Sequence, residues 1–154
     1  MLGLVRMGQG HLLAALYGEV ILPEAVDREI RRGALLSGHL EDYEAVNGIE
    51  VVGAPPEPVG SADVLSRLDE GEREALALCL SFPSTLLLID EKAGRRAAAA
   101  LGLPHTGLLG ILIRAYRREL TGDFREDLDR LRVDYGFRLT DALVARVYVD
   151  LGLV

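Results

Sequence analysis

Two periods of apolar residues alternate along this chain, and the switches between them mark its elements. Spacing of three to four runs through His11 to Tyr17 (HLLAALY), which predicts a helix, and Gly18 fits the position just past its end. The run from Glu19 to Leu22 (EVIL) then reads as a buried strand. Pro23 stands where a helix favours its first residue, and Ala25, Val26 and Ile30 share one face of the segment that follows, with Gly33 closing it. A short helix over Leu40 to Val46 and a strand over Ile49 to Val52 come next. The stretch Gly53 to Gly60 holds three prolines and reads as a surface loop within one domain.

Beyond that loop the pattern predicts helices over Ser61 to Leu68 and Gly71 to Phe82, then a strand over Thr85 to Ile89. Helices over Lys92 to Leu101 and Leu108 to Leu120 flank a short strand at Pro104 to Thr106. Helices over Asp123 to Tyr135 and Thr140 to Leu151 finish the chain, with Thr140 and Asp141 as the cap of the last. Strands that alternate with helices imply a parallel sheet covered on both faces, because each parallel crossover needs a connection of helical length.

Composition narrows this reading. With 154 residues, 49% of them hydrophobic, the chain fills one compact domain, 1–154, and has no room for a second. A net charge of −7 argues against binding nucleic acid through bulk charge, although metal ions can supply positive charge locally. Cys79 is the single cysteine and reads as a core residue of a reducing compartment. With neither a secretory signal nor an unbroken apolar run of spanning length, the expected location is cytoplasmic, with no membrane partner.

Candidate chemistry gathers on acidic residues near strand ends and helix starts. Glu29 lies on the helix after the first visible strand, Glu72 and Glu74 on the first turn of a later helix, and Asp90 and Glu91 where the central apolar run stops. Carboxylates drawn to one sheet edge repel each other unless a cation neutralises them, and such hard oxygen donors suit Mg²⁺ or Mn²⁺. A metal so held can activate water and stabilise a phosphate under attack. Taken singly, Glu72, Glu74 and Glu91 also serve the dipole of the helix they open. His11, His39 and His105 are scattered without metal-ligand spacing, and Gly107 and Gly110 suit tight helix packing.

The ordered set of segments EVILPEAVDREI (Glu19 to Ile30), GEREALALCL (Gly71 to Leu80), LLLIDEKAGRRAAAALGLPHTGLLGILIRAYRREL (Leu86 to Leu120) and the tail from Asp127 to Gly152 resembles PIN-domain proteins, in particular a PIN-like group related to the VapC toxin nucleases. The resemblance implies an α/β/α sandwich around a parallel sheet and an RNA-cleaving site that binds Mg²⁺ or Mn²⁺. On this likeness Glu29, Glu74 and Asp90 match the family's catalytic acids, Glu72 and Glu91 join them as metal ligands, and Arg95 and Arg96, one turn further on, either contact phosphate or simply face solvent. A cognate antitoxin is the implied protein partner.

Family members also carry an initial apolar strand ending in aspartate. Here no aspartate precedes Asp27, so on this comparison the first strand and the first metal ligand are absent. Such a gap at the centre of the sheet points to impaired catalysis, and the alternative reading is an inert PIN-like binding module. The apolar tail, Leu139 to Val154, adds the expectation of a homodimer or larger even assembly, with Val144 and Tyr148 as the contact residues.

Overall fold

A computed structural model of the chain describes residues 1–56, 60–82 and 84–153. Part of the proline-rich loop, residues 57–59, and the last residue of the apolar tail lie outside the described residues. The architecture is the expected mixture of helices and short parallel strands. It forms two compact units, Met1–Ile111 and Leu112–Val154.

In the first unit α1 (Leu2–Arg6) and α2 (His11–Tyr17) precede β1 (Val20–Pro23). α3 (Glu24–Leu36) and α4 (Leu40–Glu44) lead to β2 (Ile49–Val52). β1 and β2 pair in parallel, Val20 beside Ile49 through Pro23 beside Val52. Leu22, Ile30, Ala34, Tyr43 and Val5 form the core beneath this pair. α1 escaped the sequence reading because a five-residue helix spans too little chain to show a period. Its Leu2 explains why Gly33 is no terminator: a Cβ on Gly33 would meet Leu2 Cδ2 at 2.5 Å, so the glycine lets α1 pack against α3, which continues to Leu36.

α5 (Ala62–Leu65), shorter than expected, and α6 (Glu70–Ser81) follow. Asp69 caps α6, accepting the Glu72 N–H at 2.7 Å. β3 (Leu87–Leu88), α7 (Lys92–Ala100) and β4 (His105–Thr106) complete a second parallel pair, with Leu87 beside His105 and Leu88 beside Thr106. Leu65, Leu76, Leu87, Ile89 and Ala98 make the core of this half. Where one central sheet was expected, the described strands form these two separate pairs. α6 touches both β1 and β3 and so spans the interval between them.

α8 (Leu108–Arg117) runs from the first unit into the second. In the second unit α9 (Phe124–Val133) and α10 (Asp141–Asp150) bury Phe124, Leu128, Leu131, Val144 and Val147. Phe124 lies between Tyr116 and Tyr148, at centroid distances of 5.6 and 6.4 Å. Val144 is only 8% exposed, and Tyr148 packs on Phe124 under the Arg125 guanidinium. These two residues therefore stabilise their own unit, and the large exposed apolar side chains of α9 and α10 are Val133, Leu143 and Val149.

Candidate acidic site

Between the two strand pairs of the first unit lies a groove of about 760 Å³. Its long walls are apolar, with Leu13, Val26, Leu78 and Ile111 among them, while Glu29, Asp69, Glu72, Asp90 and Glu91 also line it. β1 delivers α3, and hence Glu29, by ending at Pro23, whose fixed φ of −62° starts the helix. β3 delivers Asp90 and Glu91 directly.

Each acid is held differently. Asp90 accepts the Leu108 N–H at 2.8 Å and so fastens the start of α8. Glu74 accepts the Ala25 N–H at 3.1 Å, at the start of α3, and it does not line the groove. Glu29 is exposed along most of its length, yet its carboxylate end rests on Gly71, where an added Cβ would sit 3.0 Å from Oε1. That shielding raises its pKa above the ordinary value, and Asp69, Glu70 and Glu72 raise it further. Burial likewise pushes Glu72 up, with Asp69 adding to the effect and the Gly94 backbone N–H beside the carboxylate working against it. Glu91 is exposed at the start of α7. Arg95 and Arg96 are exposed on α7 and stand outside the groove lining.

Three glycines, rather than further acids, complete the arrangement. A Cβ on Gly94 would fall 2.7 Å from Glu72 Oε1, and one on Gly107 would collide with Asp90 Oδ1. Together with Gly71 under Glu29, each leaves room for a carboxylate. Gly107 thus serves Asp90 rather than helix packing alone, whereas a Cβ on Gly110 would meet the Thr106 hydroxyl. The sequence carries a trace of this in Gly71 and Gly94, each within four residues of a candidate acid, but the contacts themselves are made across the fold.

The donors suit a hard cation in kind, being carboxylate oxygens. In number they fall short: among the described residues no group of three His, Cys, Asp or Glu side chains is placed to hold a metal ion. His105 Nδ1 lies instead 3.0 Å from the Leu103 carbonyl oxygen, and His39 Nδ1 3.2 Å from the Ser37 hydroxyl.

A family model described as a PIN domain matches residues 1–152. The chain belongs to the PIN-domain family, a nuclease-type fold whose members generally use divalent metal ions. No curated protein and no solved structure matches it. No helix among the described residues is long and apolar enough to cross a membrane.

Proposed function

We propose that this chain is a metal-dependent ribonuclease of the PIN toxin type. The observation that carries the reading is the gathering of Glu29, Glu72, Asp90 and Glu91 on one groove, with Glu29 and Glu72 pushed towards protonation by burial and by neighbouring carboxylates. A divalent cation relieves that strain, because a nearby positive charge favours the ionised carboxylates. Glu29, Glu72, Asp90 and Glu91 are the proposed ligands of Mg²⁺ or Mn²⁺. Glu74 places the start of α3 and joins them as the third catalytic acid with Glu29 and Asp90. When bound, the metal would activate water and stabilise charge on the scissile phosphate of RNA. Arg95 and Arg96 are proposed to contact the RNA backbone, giving position rather than sequence preference. We read 1–154 as one working domain, since the family match crosses both compact units. Cytoplasmic residence and control by a cognate antitoxin complete this reading.

The test couples binding to cleavage. Millimolar Mn²⁺ should raise the melting temperature, since a ligand that binds only the folded state stabilises it by mass action. Asp90→Asn should remove most of that rise and abolish cleavage of single-stranded RNA. Identical responses of the two proteins to Mn²⁺ would sink the metal site.

A second reading, an inert module acting through oligomerisation, is favoured by the lack of three converging donors among the described residues. Its surface would include Val133 and Val149, 79% and 61% exposed. Light scattering decides it: a dimer dissociated by Val149→Glu with helicity intact supports assembly, and a monomeric chain at micromolar concentration rejects it.

A further inference from the structure

A second cavity, of about 420 Å³, lies in the first unit and shares no lining residue with the acidic groove. Val5 and Val46 give it apolar walls, and Gly8 and Ala14 keep its sides low. Gly8 sits at φ 70° with nothing within 4 Å of an added Cβ, so a ring can approach the backbone there. Three polar side chains complete the lining: His11 at the start of α2, Asp42 on α4 and Asn47 in the turn before β2. All three are exposed, and among the described residues none has a hydrogen bond or ion pair through its side chain. Apolar walls of this extent with a few polar groups around them are the usual form of a small-ligand site.

The frame around these groups is fixed before any ligand arrives. Tyr43, next to Asp42 on α4, is buried and donates to Asp27 of α3 at 2.6 Å. Gly10, next to His11, makes room for Val46, whose Cγ2 would lie 2.5 Å from an added Cβ. Gly48, next to Asn47, has φ 79°, and a Cβ there would meet the Gly18 carbonyl at 3.0 Å and Ala14 Cβ at 3.1 Å. Each polar side chain therefore starts from a backbone held by close packing, which lowers the ordering cost of binding.

What these groups accept and donate selects the ligand. The Asp42 carboxylate only accepts, so it calls for two neighbouring donors and repels phosphate. Among the nucleobases guanine alone presents two donors side by side, N1–H and the N2 amine, with the acceptors O6 and N7 on the adjoining edges. Asn47 can donate to those acceptors, and the His11 imidazole supplies a further donor or a face for stacking. Adenine meets a carboxylate with one amine set between ring acceptors, and each pyrimidine offers a single donor group. An alkyl guanidinium satisfies Asp42 but brings no acceptor for the Asn47 amide and no ring for the apolar walls.

We propose that this cavity binds a guanine base, with Asp42 accepting from N1–H and the N2 amine, Asn47 donating to O6 or N7, and His11 at the rim. The base arrives in free guanosine or as an unstacked guanine of an RNA strand, since both present the same edges. The site acts whether or not the acidic groove holds a metal.

The probe is guanosine, titrated into the whole chain and followed through the imidazole resonances of its three histidines. His11 should shift saturably below millimolar guanosine, while His39 and His105, which do not line the cavity, stay in place. Inosine, which lacks the N2 amine, should bind roughly tenfold more weakly. Asp42→Asn should weaken guanosine by a similar factor and leave the melting temperature unchanged, because Asp42 is exposed. A silent His11 at millimolar guanosine overturns the proposal, as does adenosine or methylguanidinium binding as tightly as guanosine, or undiminished binding by the Asp42→Asn chain. A short single-stranded RNA with one guanine identifies the source: saturation at roughly tenfold lower concentration than guanosine assigns the site to RNA, and equal or weaker binding assigns it to the free nucleoside. Asp90→Asn keeps the two readings apart, because it should end cleavage and leave guanosine binding intact.

Discussion

Asp27 and Glu29 stand two residues apart on α3, and the two faces they occupy treat a carboxylate in opposite ways. On the Asp27 face every charge is answered. The Tyr43 hydroxyl donates to Asp27 at 2.6 Å, Arg31 Nε donates at 2.9 Å, and the Arg31 guanidinium reaches on to Glu44 at 2.8 Å. The hydroxyl hydrogen bond, after burial, holds Tyr43 well above the usual phenol range. On the Glu29 face the neighbours include Asp69, Glu70 and Glu72, and the nearby cation Arg28 is engaged with Glu70 at 3.2 Å. Folding neutralises the acid on one face of the helix and leaves the acid on the other among like charges. Residue type alone does not separate the two roles; the company each acid keeps does.

The largest effect should come from dismantling the satisfied face. Asp27→Ala strands the hydroxyl of Tyr43, a residue 3% exposed, and a buried polar group left without its partner costs about 2 kcal/mol. The ion pair with Arg31, half exposed, adds little. Urea unfolding should register that loss, while Glu29→Ala stays within about 0.5 kcal/mol of the parent. Equal losses at the two positions would erase the contrast between the faces.

A smaller effect, of opposite sign, should follow from relieving the unsatisfied face. Glu29 and Glu72 have folded pKa values raised above 4.5, so above that pH the native state holds more protons than the unfolded one. Their contribution to stability is therefore present below about pH 4.5 and is lost as pH rises through the folded values. Replacing both with Gln should raise the melting temperature at pH 7 by roughly 1–3 °C and leave it nearly unchanged near pH 4. A drop at pH 7 would show that both already have favourable partners.

The smallest change in stability comes from Gly71→Ala. The added methyl displaces the flexible end of Glu29, and the better helix propensity of alanine, worth up to about 1 kcal/mol, offsets the crowding. Stability should hold while the melting shift caused by Mn²⁺ shrinks. An undiminished Mn²⁺ response would remove Glu29 from the site.

Much of this was legible in the residues. α2 and β2 fall where the periodicity places them, at His11–Tyr17 and Ile49–Val52. The candidate acids could be read from their places at helix starts and strand ends. Hidden from the sequence were contacts made by distant chain: Leu2 under Gly33, Ile89 and Glu72 against Gly94, Asp90 against Gly107. A glycine declares that space is needed and not what will fill it. Val144 misled for a related reason, because an apolar helix rich in valine looks alike whether it faces its own core or a partner.

Cys79 gives the groove a clock of its own. It is the single cysteine, 8% exposed, with its sulfur 3.0 Å from the Thr85 hydroxyl, and both residues lie in the groove wall. A thiol so covered reacts only in the fraction of time its cover is displaced, and the reaction occurs at one position in the whole chain. The rate at which a small thiol-alkylating reagent consumes it therefore counts openings of this wall, with no label to introduce and no second thiol to confuse the count.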